Sequence, residues 1–480
     1  MTAYLQSVPK LLTRLMLALC LALLAAALLL GVPQSKETQR AFGLALVGAA
    51  AVWLVLPRLS GLLARLGAVR VWVLLTLLCL LIKGAWVVLV RIPPEGDYAT
   101  FWGYANSLAQ SPVIGGSRYM ALFPHIFGYA SFLSWFIRLL GPGELLAQGL
   151  NVALTALSGS MMFLLAKRWW GLAGGVSAYL IWIACPSQTM YNALILSEPL
   201  YTALLLAILV LLALAEEERQ RRAILLGAGA GVLLRLMQGS RPIAPVVIIA
   251  LLLWRFLLKP EVLARQTGRR FWLPLLAVLL VVYGATGPLW NAHLANRMGE
   301  EPATTPGYSV LVGFNQASGG RWNQGDSELL FSYSDQPGAT AQQAQEQAMA
   351  AAVDRITSGE VRFLSLMKAK VKVFLGSDDT CVDYSRSVLR HTTLFSLVCN
   401  GFYYAFLLLA GAGIIRLWRT GTRSAALLLP LYALGLTCAQ MLVEVAGRYH
   451  YSILPALFLL GTGALFPPAP AAAEKIQKIP

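Results

Sequence analysis

Charge is what this 480-residue chain has least of. Asp, Glu, Lys and Arg together make up 12% of it, against roughly 25% in an ordinary soluble domain. Hydrophobic residues make up 58%, more apolar surface than a water-soluble fold of this length can hide. Acids are scarcest: 22, against 38 bases, for a formal charge of +16. That surplus is no nucleic-acid footprint, because the bases sit in short clusters between apolar runs, as the positive-inside rule expects. A nucleic-acid partner is excluded. The six cysteines contain no CxxC or other metal spacing and read as small buried hydrophobes. There is no P-loop, HExxH, GxSxG or strand-linked GxGxxG, so soluble nucleotide chemistry has no support. Acids inside the apolar runs are too few for an ion-coupled transporter with a mid-membrane relay.

What the chain does have is apolar runs of about 16–23 residues, the length that crosses some 30 Å of hydrocarbon. Thirteen candidates lie at 12–31, 41–56, 71–90, 122–140, 144–166, 172–185, 197–214, 223–238, 242–258, 271–290, 391–415, 424–443 and 450–466. The first run ends in Gly31-Val32-Pro33-Gln34, not a small-x-small cleavage site, so it reads as a retained helix. Basic linkers mark the cytoplasm: Arg58, Arg65 and Arg70; Arg219, Arg221 and Arg222; Lys259, Arg265, Arg269 and Arg270; Arg416, Arg419 and Arg423. That leaves 91–121 and 291–390 outside, and three parts follow: an N-terminal transmembrane module (1–290), a large extracytoplasmic loop (291–390) and C-terminal helices with a cytoplasmic tail (391–480). Thirteen full crossings do not satisfy every linker, because Arg138 and Lys167-Arg168 both look cytoplasmic. One segment between 122 and 185 is therefore expected to be short, re-entrant or lying on the inner face. The expected fold is an all-α polytopic membrane protein of about 11–13 transmembrane helices, with short amphipathic helices in its two outer loops. In the larger loop, 338–357 reads as a helix, and 360–375 as an amphipathic one. Its lysines 368, 370 and 372 fall off the apolar face, so it either lies at the interface among lipid head groups or packs on the rest of the loop.

Polar residues placed beside apolar runs carry the chemistry, since putting them there costs free energy. Asp97, in Arg91-Ile-Pro-Pro-Glu95-Gly96-Asp97-Tyr98, follows the third run and reads either as a general base or as a helix cap. His125, in Phe123-Pro124-His125, is one of four histidines; it reads as a phosphate or metal contact, or as structural. Tyr191 and Ser197-Glu198-Pro199 precede the seventh run. Glu198 is a metal or acceptor ligand, or an acid complementing the helix dipole. Arg241, in Ser240-Arg241-Pro242, and Arg448, in Gly447-Arg448-Tyr449-His450-Tyr451, sit in near-absent loops on the outer side, where the positive-inside pull does not explain them. A guanidinium fork fits phosphate oxygens, and the competing reading is an interhelical ion pair.

In their order, Gly96-Asp97, Phe123-Pro124-His125, Ser197-Glu198-Pro199, Ser240-Arg241-Pro242 and 447–455 resemble the GT-C glycosyltransferases, and more closely the bacterial members related to protein O-mannosyltransferases and the aminoarabinose transferase. The resemblance implies a GT-C-like bundle and a polyprenyl-phosphate-linked sugar donor in the plasma membrane, with the active site on the extracytoplasmic side. It implies an inverting transfer to a cell-envelope glycan, lipid or protein acceptor. Asp97 matches the first-loop catalytic aspartate. Arg241 and Arg448, with Tyr449 and His450, would stabilise the departing lipid phosphate. Glu198, His125, Glu95 and Tyr191 are acceptor or metal candidates. Some relatives carry two acids together in the first outer loop; Glu95 lies near Asp97 without clearly matching the second, so a divalent cation is a possible cofactor only. In the large loop, Trp322, Asn323 and Asp326 are candidates to touch a sugar. The rival reading is a transporter or flippase of lipid-linked sugars, which would bind the lipid without consuming it.

Overall fold

The computed structural model describes residues 2–114, 117–216, 218–260, 262, 266–421 and 424–469; Arg265, Arg423 and the tail beyond 469 lie outside the described residues. Helices α1 (Thr2–Gly31), α2 (Lys36–Ala64) and α3 (Ala68–Leu89) lead to a first loop, which carries α4 (Asp97–Gln110), α5 (Arg118–Leu122) and α6 (Pro124–Leu140). Then come α7 (Glu144–Ala184), α8 (Pro186–Tyr191), α9 (Glu198–Ala215), α10 (Gln220–Ser240), α11 (Ala244–Leu252) and α12 (Gln266–Met298). The large loop holds α13 (Gly307–Gly313), α14 (Gln324–Ser334), α15 (Ala341–Thr357), α16 (Phe363–Leu375) and α17 (Thr380–Asp383). Helices α18 (Thr392–Thr420), α19 (Leu428–Leu442) and α20 (Leu454–Leu465) close the bundle, with a 3-10 segment, Gly447–Ile453, before α20. Among the described residues there is no β-strand. Nine of the described helices are long and apolar enough to cross a membrane, and the protein is an all-α, multi-pass membrane protein.

The 41-residue α7 is the exception to a one-helix, one-crossing count. Trp170 and Gly171 break it, Gly171 with φ of +77°, a region that a residue without Cβ enters freely. The chain then doubles back. The Trp182 indole donates to the Thr155 carbonyl at 2.9 Å, and the Tyr179 hydroxyl to that of Ala156 at 3.0 Å. The runs 144–166 and 172–185 are thus the two arms of a hairpin, with Lys167 and Arg168 at its turn. Arg168 reaches Glu216, beyond the end of α9, at 3.3 Å.

α6, with 17 residues, is shorter than the described helices that are long and apolar enough to cross a membrane. Arg138, expected to be cytoplasmic, instead bonds the Leu108 and Ala109 carbonyls at 2.5 and 3.0 Å. Arg297, at the end of α12, reaches the Leu108 carbonyl too, at 3.1 Å. A cation at a helix C-terminus meets the exposed carbonyls and the dipole together. The α6 end therefore sits on the loop side of the bundle, the side of the 299–391 segment. The runs expected at 242–258 and 450–466 resolve into shorter helices, 244–258 and α20.

The large loop has its own polar core. Asp326 is buried and accepts two bonds from Arg355, at 2.7 and 3.0 Å, with Asn315 and Asn323 also donating to it. Of the two readings of 360–375, packing on the loop holds. Leu366, Lys370 and Phe374 of α16 are buried. Lys370, expected off the apolar face, points inward to the carbonyls of Gly313, Met441 and Val443 at 2.9, 2.9 and 2.7 Å. It ties the large loop to the end of α19.

Candidate functional site

Four chain segments meet on the loop side. Asp97 is the first residue of α4, after Gly96 as N-cap. It is not itself the cap; its acid sits in the first turn, where the dipole favours a negative charge. Its carboxylate, half-exposed, pairs with Arg448. Arg448 lies in the 3-10 segment and is buried. Its Nη1 donates to the Tyr384 hydroxyl at 3.2 Å, and its Nε lies 3.7 Å from Glu198 Oε1. Glu198 opens α9 and is 1% exposed, and neither carboxylate oxygen has a hydrogen-bond partner. An acid so placed keeps its charge only beside a cation. Arg448 therefore answers two acids at once.

Arg241 arrives from another direction, as the extended residue ending α10. Its guanidinium lies 3.8 Å above the Tyr449 ring and 5.8 Å from that of Tyr201. Arg448 lies 5.4 Å from the same Tyr449 ring. Two guanidinium groups thus share one aromatic ring, which lowers the cost of holding like charges together. Among the described residues Arg241 has no carboxylate within ion-pair distance. Burial pushes the Tyr449 hydroxyl up to about 12, with Glu444 adding to the rise, so it stays a neutral donor. It lies 3.5 Å from Glu444 Oε1. Burial, with the Asp97 charge adding to it, raises the Glu444 carboxyl above its ordinary value against the pull of Arg448 and Arg241.

The other expected residues divide. His125, at the start of α6, feels Arg241, Asp97 and Arg448; burial first and Arg241 second push its imidazole down to about 3, so it is neutral. Glu95 is exposed in the linker before α4, and its side chain pairs with neither arginine. Tyr191 is buried edge-on against Tyr451, with ring centroids 5.0 Å apart. His450 faces away from the arginines: it is 1% exposed and its Nε2 lies 3.0 Å from Asp378 Oδ1. Its described polar contact is with Asp378, not with either arginine. Asp326 is buried and paired with Arg355, whereas Trp322 is exposed.

The sequence did not single out Tyr384, Tyr201 or Glu444. Glu444 had one available signal, an acid beside Arg448 in the short connection between two apolar runs. Tyr384 had none, because only the tertiary fold brings α17 against the 3-10 segment. Of metal ligands, the described residues form no cluster of three or more His, Cys, Asp or Glu side chains. Glu198, the strongest candidate, faces the Arg448 guanidinium at 3.7 Å.

No protein-family model and no curated protein matches this chain. Among solved structures it is similar to ArnT from Cupriavidus metallidurans bound to undecaprenyl phosphate, with a TM-score of 0.35 and 12% identity over 82% of this chain and 76% of that one. It is also similar to the apo state of ArnT, with a TM-score of 0.32 and 14% identity over 83% and 77%. Likeness at this level leaves function to the geometry of the site.

Proposed function

We propose that this protein is a GT-C-type glycosyltransferase that moves a sugar from a polyprenyl-phosphate donor to a cell-envelope acceptor on the extracytoplasmic face of the plasma membrane. One observation carries it: Arg241 and Arg448 flank Tyr449, Arg241 has no carboxylate within ion-pair distance among the described residues, and Asp97 stands against Arg448. The pair offers the donor's monoanionic phosphodiester, and the dianionic phosphate it becomes on leaving, two forked donors beside one carboxylate. The ordered motifs that resemble GT-C enzymes supply the donor class. A small apolar pocket lies between α9, α11, α19 and α20. It is lined by Leu205, Val247, Leu428 and Pro455, and its polar end is the Tyr432–Ser452 hydrogen bond of 2.7 Å, four residues from Arg448.

In the resting site Asp97 neutralises Arg448. A donor phosphate competes for that guanidinium and frees the carboxylate to act as a base. Asp97 then takes the proton of an acceptor hydroxyl as the oxygen attacks the anomeric carbon. The bond from that carbon to the phosphate oxygen breaks, its electron pair stays on the phosphate, and Arg241 and Arg448 hold the added charge. A single displacement inverts the anomeric centre. Neutral Tyr449 and His125 supply dipoles without a competing charge. No step is assigned to a metal ion.

The test is transfer from a labelled polyprenyl-phosphate sugar by protein in nanodiscs. Asp97→Asn is expected to bind the donor and to transfer at least about a hundredfold more slowly, the scale of a lost general base. Retained transfer overturns the mechanism. Donor moved intact to the other leaflet, with its glycosidic bond unbroken, identifies a flippase instead.

A further inference from the structure

Beneath the two arginines lies a second polar group that the mechanism above does not use. Asp378 is 3% exposed, His450 1% and Ser187 0%. Asp378 Oδ1 lies 3.0 Å from His450 Nε2, and Oδ2 accepts from the Ser187 hydroxyl at 2.5 Å. The Asp378 backbone N–H donates to Asn400 Oδ1 at 2.7 Å, and Asn400 Nδ2 donates to Asp379 at 3.0 Å. The group thus ties together α8, the link between α16 and α17, α18 and the 3-10 segment. The His450 ring is walled by Tyr403 and Phe374, at centroid distances of 5.2 and 6.2 Å.

His450 and Arg448 stand two residues apart on one rigid 3-10 segment. Three residues complete such a turn, so the two side chains leave on different sides. A fixed His450 therefore sets the direction of Arg448. The same link continues into Tyr384, which accepts from Arg448. Gly447 leaves no room for a Cβ against Thr380, so the segment is seated closely on that link.

We propose that Asp378 is a positioning residue: by anchoring His450 against Ser187, it aims Arg448 at the donor phosphate. The inference rests on the reading that Arg448 meets that phosphate. Asp378 touches neither Arg448 nor Asp97 and acts through the segment. A carboxylate suits this because one oxygen accepts from Ser187 while the other can accept from His450 in its Nε2–H tautomer.

The test uses the full chain in nanodiscs, with Asp378→Asn, which keeps the side chain's size, and Ser187→Ala, which removes one bond only. Binding of a short-chain polyprenyl phosphate is read by native mass spectrometry. Asp378→Asn is expected to weaken binding about tenfold, and to add nothing in an Arg448→Ala background, as coupled sites do. Ser187→Ala is expected to weaken it less. Wild-type affinity in Asp378→Asn, or equal losses with and without Arg448, overturns the proposal, since a merely structural aspartate would cost the same in both backgrounds. A cryo-EM structure of Asp378→Asn decides the same point without lipid: Arg448 withdrawn from Asp97 supports the role, and Arg448 unmoved overturns it. If the wild-type protein fails to bind polyprenyl phosphate, the proposed function falls, and the cryo-EM comparison still judges the positioning.

Discussion

Arg241 and Arg448 look alike in sequence, yet their surroundings give them different duties. Arg448 offsets the buried charge of Glu198 as well as pairing with Asp97. Removing it strands a carboxylate in low dielectric. Arg448→Ala is therefore expected to cost about 3–5 kcal/mol of stability, read as a clear fall in melting temperature in detergent. Arg241 answers no carboxylate and rests on a tyrosine face. Arg241→Ala is expected to lose about 1 kcal/mol or less of stability while weakening donor binding at least about tenfold, a loss of two charge-assisted bonds. Equal destabilisation by both substitutions would contradict this division. His125 adds a pH dependence. Its folded value of about 3 lies below the unfolded value of 6.5. The unfolded chain thus binds the proton first, and stability falls as pH drops below about 6.5 towards 3. Melting temperatures at pH 7.5 and pH 5 should differ less for His125→Gln than for the native protein.

At the scale of elements, apolar runs were legible because hydropathy and helix length are local sums. Both arms of α7 were read as separate apolar runs, 144–166 and 172–185, with the basic Lys167-Arg168 between them. What joins them, Trp182 to Thr155 and Tyr179 to Ala156, is a matter of packing. Gly171→Val is expected to destabilise the hairpin by about 1–2 kcal/mol, because a β-branched residue is strained at positive φ; circular dichroism melts check this. α16 shows where period-based reading fails. Its lysines were expected to face outward, yet Lys370 is drawn in by three carbonyls that belong to α13 and the end of α19. Nothing near Lys370 in sequence announces those acceptors. Lys370→Met, which fills the space but leaves the carbonyls unmet, is expected to loosen the large loop, seen as faster cleavage there in limited proteolysis.

For the whole molecule, the direction of the bundle is a topology question with a direct answer. Trp322 is exposed on the large loop, and Arg219 in the linker between α9 and α10. With Cys438, the one exposed native cysteine of the described chain, replaced by serine, Trp322→Cys is expected to label with an impermeant maleimide on intact cells. Arg219→Cys should label only after lysis. The reverse pattern would place the site in the cytoplasm. The sequence by itself determined that this is a multi-pass helical membrane protein, because 58% hydrophobic content in crossing-length runs leaves no soluble alternative. It also picked out Asp97, Glu198, Arg241 and Arg448, because a polar group beside lipid is conspicuous. Only the tertiary structure decided which of them meet. Asp97 and Arg448 are 351 residues apart and pair, whereas His450, two residues from Arg448, meets Asp378 instead. Contact over that separation is set by how the helices pack, and direction within a short segment by the angle of its turn.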